Sequence, residues 1–285
     1  MVGNRCVPTT LILLFFTVIL WIVPSSPAHA LYNPGYLYRQ SSNTDKRSPT
    51  QDPRDFNQYS NIPILMYHEI GEPFSQLKEL FVKTEDFERQ MQYLIDNGYN
   101  TVHMSDVANH WLRDGYLPPK PIVVTFDDGY RGNHSEAFPI MKQKDLTATI
   151  YIVENSLGNA NFLTDDMIIE MHAAGFEIGH HTTSHVDLTT VTEKRLIDEV
   201  YSSKKRLENR LNIEMTTFAY PASSYDDRVI EQLQQAGFVT AVTTNYGLAS
   251  WEQDLLQLKR IPVYRSFGLS GFRVRLQNYE KQFQN

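Results

Sequence analysis

What this chain lacks narrows the field before what it contains. It has one cysteine in 285 residues, Cys6, which precedes the first apolar run. With no second thiol, neither a disulfide framework nor a thiolate metal site is available. Cys6 is also not placed like a lipid-modified cysteine, which follows such a run. Long apolar runs are missing as well: Leu11 to Val23 spans 13 residues, and a membrane-crossing helix needs about 20. Positive charge is in deficit, with 26 Lys and Arg against 33 Asp and Glu and a formal net charge of −7. A polyanion such as nucleic acid is therefore a poor partner. What remains, 41% hydrophobic and 21% charged, suits one sizeable core and is too little for two.

The N-terminus carries Arg5, the apolar run, Pro24-Ser25-Ser26-Pro27 and the small-residue site Ala28-His29-Ala30. That is the order of a secretory signal peptide, so residues 1–30 are expected to be cleaved after Ala30. The mature chain would then be secreted, periplasmic or at the cell surface, with no membrane span. An uncleaved anchor is the alternative, disfavoured by the short run. Residues 31–60 are rich in Ser, Asn, Asp, Gln, Pro and Arg without apolar periodicity and read as a flexible spacer.

From 61 to 285 the pattern predicts a single α/β domain. Short β-branched runs at 62–68, 101–104, 122–127, 148–153, 176–179, 216–220, 239–243 and 258–263 alternate with helical periodicity. The first helix is expected to be capped by Thr84 and to present Phe87, Met91, Leu94 and Ile95. Others are expected at 105–114, 133–143, 164–174, 192–211, 224–236 and 268–282. Ser224 with Asp227 resembles a capping box, and Gly175 and Gly237 stand where helix ends need positive φ. Eight strands with interleaved helices suggest a distorted or incomplete (β/α) TIM-like barrel.

Two motifs carry chemistry. The apolar strand from Pro121 to Phe126 ends in Asp127-Asp128-Gly129, and adjacent carboxylates repel unless a cation or proton separates their roles. Alone, this is also an ordinary Asp-Gly turn. His181 and His185, after the strand at 176–179, face one way if the chain turns helically, and with one carboxylate they make an open three-ligand divalent site. Alone, such a pair is also common in surface turns. Both motifs fall at carboxyl ends of strands, the end where barrel enzymes place their chemistry.

With these motifs the sequence resembles the polysaccharide deacetylase family, also called carbohydrate esterase family 4 or the NodB-homology domain. The resemblance rests on Thr125-Phe126-Asp127-Asp128-Gly129, His181-Thr182-Thr183-Ser184-His185 and Phe218-Ala219-Tyr220-Pro221. It implies Asp127 as general base and Asp128, His181 and His185 as ligands of one divalent metal. Zinc is the first choice, and Co, Ni, Mn or Fe(II) also suit the ligands. Ile64-Leu65-Met66-Tyr67-His68-Glu69-Ile70 looks like the opening motif of the branch acting on poly-β-1,6-N-acetylglucosamine, in which the family order is circularly permuted. The resemblance then implies His68 as general acid. The third motif departs from the common pattern: Ala219 stands where an arginine is usual, and Ala222 where a tyrosine is. Ala222 still supplies a backbone N–H for an oxyanion. Arg260 is the candidate replacement partner of Asp127.

Pro221, Tyr220 and Tyr130 are expected to line the substrate site, and Tyr130, Tyr220, Tyr246 and Trp251 are candidates to stack on sugar rings. His134, His172 and His180 read as turn or surface histidines. The resemblance implies removal of N-acetyl groups from an amino-sugar polysaccharide. Two alternatives stand beside it: an O-deacetylase of the acetyl-xylan type, and a non-catalytic glycan-binding barrel.

Overall fold

Pro121–Phe126 is buried along its whole length, as a strand covered on both faces must be, and the sheet is organised on it. The computed structural model of the protein describes residues 59–280. The expected leader, and the expected spacer up to 58, lie outside the described residues.

Eight parallel strands carry the domain: β1 (Ile64–Tyr67), β2 (Asn100–Val102), β3 (Pro121–Phe126), β4 (Thr149–Ile152), β5 (Glu177–His180), β6 (Thr217–Ala219), β7 (Thr240–Tyr246) and β8 (Leu258–Pro262). Seven of them close a barrel in the order β1, β8, β7, β6, β5, β4, β3, and β3 pairs back onto β1 from Ile64–Val123 to Tyr67–Phe126. β2 stays outside the ring. It pairs with Pro121 to Val123 of β3, while β4 takes Thr125 and Phe126 farther along the same edge. This sharing of one edge is the distortion of the barrel.

Local chemistry moved several boundaries. Pro63 interrupts the strand expected at 62–68: it has no N–H to donate, although its carbonyl accepts from Val123 at 2.9 Å. Asn61–Ile62 pairs instead with Ala249–Ser250. The helix at Thr84–Asp96 begins after Lys83, and the Thr84 hydroxyl donates to Glu136 at 3.1 Å rather than capping. Asp226, not Ser224, caps Asp227–Gln235 by accepting from the Val229 N–H. The helix expected at 192–211 is two, Glu193–Ile197 and Ser203–Leu211, joined by a π turn at Asp198–Ser202. Gly175 and Gly237 do adopt positive φ behind their helices. Among the described residues no helix is long and apolar enough to cross a membrane.

The barrel interior narrows at Gly179. A Cβ there would lie 2.5 Å from Tyr151 Cδ1 and 2.9 Å from Thr217 Cγ2. The bare backbone lets Tyr151 cross the interior, where its hydroxyl meets Thr217 Oγ1 at 2.8 Å. Gly179→Ala should therefore overpack the barrel and lower stability by about 1–3 kcal/mol, read as a shifted urea midpoint. An unchanged midpoint would show that Tyr151 yields freely.

Candidate metal centre and active site

β3 delivers two carboxylates to one end of the barrel, and the backbone sends them different ways. The Asp127 N–H continues the β1 ladder by donating to the Tyr67 carbonyl at 3.0 Å. Asp128 then turns left-handed at φ +72°, followed by Gly129 at +71°. Aspartate tolerates that region better than most side chains.

Both oxygens of Asp127 are taken by Arg260, with Nη1 to Oδ1 and Nη2 to Oδ2 each at 2.7 Å. Arg260 has 0% exposure. It also donates from Nε to the Thr243 carbonyl at 2.9 Å and from Nη1 to Thr125 Oγ1 at 3.0 Å, and its guanidinium lies 5.9 Å from the Tyr151 ring centre. Burial alone would raise the Asp127 carboxyl; the charge and hydrogen bonds of Arg260, helped by His181 and His68, reverse this and hold it below its usual range. The guanidinium thus stands beside Asp127 from β8, where the third motif offers only Ala219.

Asp128 faces the histidines. Its Oδ1 lies 3.4 Å from His181 Nε2 and 3.2 Å from His185 Nε2, yet this buried oxygen has no well-formed hydrogen bond among the described residues. His181 is buried, and its Nδ1 lies 2.6 Å from the Ala219 carbonyl. A carbonyl only accepts, so Nδ1 carries a proton and Nε2 is the ring atom that faces Asp128. His185 reaches the same point from a left-handed residue at φ +55°, with 46% of its side chain exposed. One donor atom from each of Asp128, His181 and His185 lies within 4.8 Å of the others. A buried, unpartnered carboxylate oxygen opposed by two imidazole nitrogens fits a divalent cation, with open positions toward the cleft. Burial would raise the Asp128 carboxyl, but the two imidazoles draw it well below its usual value, and Asp128 in turn raises His185.

His68 follows β1 and lines the same cleft as Asp127, Asp128, His181 and His185. Its carbonyl accepts from Asn133 Nδ2 at 2.7 Å, and its Nδ1 is buried without a partner among the described residues. Burial lowers its pKa, and Asp127 and Asp128 only partly restore it.

Ala222 also lines the cleft, after Pro221, with left-handed backbone at φ +48°. The other aromatic expectations divide. Tyr220 lines the cleft as expected, but its ring is fully buried and its hydroxyl donates to the Leu256 carbonyl at 2.9 Å, so it forms part of the cleft wall and offers no open face for a sugar to stack on. Trp251 sits beside Ser60, at the opposite end of β1 from Asp128, His181 and His185. Tyr246 turns its ring toward Tyr279. Tyr130 does line the cleft, stacked on Phe162 at 5.0 Å. His180 is no surface residue: it is buried, with Nε2 2.7 Å from Ser203 Oγ. The sequence reading missed the residues that hold Arg260 in place, Thr125, Thr243 and Tyr151, and the apolar wall of Leu77, Leu80, Val153 and Phe162. Thr125 precedes the Asp pair by two residues and so points to the same side of the strand as Asp127, a signal that could have marked it.

Known proteins resemble this chain to differing extents. The sequence profile of the polysaccharide deacetylase family matches residues 114–241, a stretch that includes Asp127, Asp128, His181 and His185 but neither His68 nor Arg260. The Bacillus subtilis protein YxkH, a polysaccharide deacetylase by name, is 34% identical over 212 residues, 74% of each chain. A poly-beta-1,6-N-acetyl-D-glucosamine N-deacetylase of Staphylococcus aureus is 24% identical over 176 residues, 57% of this chain and 60% of that one. Among solved structures, the Streptococcus pyogenes deacetylase PplD in complex with acetate superimposes with TM-score 0.70 and 30% identity, covering 75% of this chain and 97% of that one. IcaB from Ammonifex degensii shares the fold, with TM-score 0.65 and 23% identity over 76% of this chain and 97% of that one. With a relative this similar along most of its length, the chain belongs to the polysaccharide deacetylase family.

Proposed function

We propose that this protein is a metal-dependent N-deacetylase of N-acetylglucosamine-containing polysaccharide, an exopolysaccharide or cell-wall glycan, releasing acetate. The observation that carries the reading is the division of two adjacent carboxylates, Asp127 locked on Arg260 and Asp128 aimed at two imidazoles, with His68 in the same cleft. A relative named for this chemistry, and a similar deacetylase solved in complex with acetate, support it.

Asp128, His181 and His185 would hold the ion, with zinc preferred, and Co, Ni, Mn or Fe(II) compatible with the same donors. When bound, it supplies Lewis acidity and lowers the pKa of water from about 16 toward about 7. Asp127, kept ionised by Arg260, takes a proton from the attacking water. The Ala222 N–H donates to the oxyanion that forms on the acetyl carbon. His68 gives its proton to the departing nitrogen as the C–N bond breaks, leaving acetate and a free amine. A departing amine needs that proton more than an ester's alcohol does, so an imidazole placed as general acid in the same cleft as Asp127 supports the amide reading. The expected leader would place the enzyme outside the cytoplasm, with its polymer.

Acetate release tests the assignment. With added zinc, release is expected from N-acetylglucosamine polymers, and chelator should abolish it. Release from acetyl-xylan alone would make the protein an esterase, and none from any acetylated glycan would leave a binding barrel.

Arg260 gives a sharper expectation. Its removal should let the Asp127 carboxyl rise, because burial then acts without the guanidinium. Arg260→Ala should keep its metal, turn over more slowly and shift the acidic limb of the pH–rate profile upward, since the base must be ionised. Breaking a buried pair also costs about 3–5 kcal/mol, so the assay belongs well below the variant's melting point. Arg260→Lys should recover only part, keeping the charge without the planar fork. A wild-type rate and profile in Arg260→Ala would remove Arg260 from the mechanism.

A further inference from the structure

Glu199 lies outside every motif, does not line the cleft and is fully buried. A buried carboxylate is costly unless its oxygens are satisfied, and these are satisfied by the loop joining the two histidine ligands. Ser184 donates its N–H to Oε2 at 2.9 Å and its hydroxyl to Oε1 at 2.6 Å. Arg195 closes a triangle, with Nε to Glu199 Oε1 at 2.7 Å and Nη2 to Ser184 Oγ at 2.8 Å.

The loop needs such a hold. Between His181 and His185 the chain must reverse within three residues, and it does so with Thr182 at φ +69° and His185 itself at +55°. Left-handed backbone in side-chain-bearing residues persists only when its surroundings enforce it. Other bonds help: the His185 N–H donates to Thr182 Oγ1 at 2.9 Å, and the Thr183 hydroxyl donates to the Asp198 carbonyl at 3.0 Å. His181 is further aimed by its ring bond to Ala219. The half-exposed ring of His185 depends more on its backbone. Glu199 grips the residue immediately before it, from within the π turn Asp198–Ser202, a local irregularity of the kind that recurs at functional sites.

We infer that Glu199 is a positioning residue of the metal centre: through Ser184 it fixes the backbone of His185 and so sets affinity for the divalent ion. The inference rests on the metal-centre reading above, and the test separates the two. Cobalt(II), titrated into the full chain against a competing chelator, reports affinity, and its visible absorption band reports the ligand geometry. Wild type is expected to bind one ion per chain. Glu199→Gln and Ser184→Ala should each bind about 10–100-fold more weakly with an altered band, while the metal-free melting temperature of Ser184→Ala stays near that of wild type. Ser184→Ala removes only a hydroxyl, so it serves if Glu199→Gln folds poorly. Wild-type affinity and band in Ser184→Ala would overturn the clamp alone. A wild-type chain that binds no cobalt would overturn the metal centre and the clamp with it.

Discussion

The buried pair of Asp127 and Arg260 is the constraint on which the site depends. Taking two charges out of water is unfavourable, and their attraction offsets the loss only with good geometry and further hydrogen bonds. Both conditions are met. The contact is a two-pronged fork at 2.7 Å on each side, and Thr243 and Thr125 accept other guanidinium protons. The pair also decides what the neighbouring carboxylate does. With both Asp127 oxygens occupied, Asp128 is the acid left to face His181 and His185. Adjacent carboxylates that would repel are thereby sent to separate partners, Arg260 and the two histidines.

The same pair ties the barrel to the chemistry. Arg260 comes from β8 and Asp127 follows β3, strands separated in the ring by β1, so the guanidinium crosses the interior instead of bridging neighbours. Tyr151 lies alongside it, and Tyr151 fits only because residue 179 has no side chain. His68 and Arg260 both lie outside residues 114–241, the part of the chain that the family profile matches. Closure of β3 onto β1, and of β1 onto β8, brings both to the matched core.

Much of this was legible in the sequence, for physical reasons that differ by residue. Asp127, Asp128, His181 and His185 declare themselves because chemistry needs those residue types at short spacing. Arg260 was reachable only through the resemblance, which implies an arginine where Ala219 stands and so directs attention to an arginine at another strand end. Strand periodicity is strong, so all eight strands were expected, but nothing local says that β2 yields its place in the ring to β4. The aromatics misled for the opposite reason: a tyrosine near a strand end packs inward or outward according to neighbours that are distant in sequence, and Tyr220 found Leu256. Caps failed where two candidates stood close together, as with Ser224 and Asp226. Glu199 gave no signal of its hold on the loop: Arg195 stands four residues before it at ordinary helical spacing, but Ser184 meets it only in the folded chain.

The account's central claim is that the two aspartates have different cations and therefore different roles. Metal content measures this most directly. Asp127→Asn and Asp128→Asn should be purified, loaded with zinc under the same conditions and assayed for bound ion alongside circular dichroism to verify the fold. The expected result is close to one ion per chain in Asp127→Asn, with little activity, and loss of the ion in Asp128→Asn. Folded Asp127→Asn that loses its ion while Asp128→Asn keeps one would contradict the claim and reverse the two assignments.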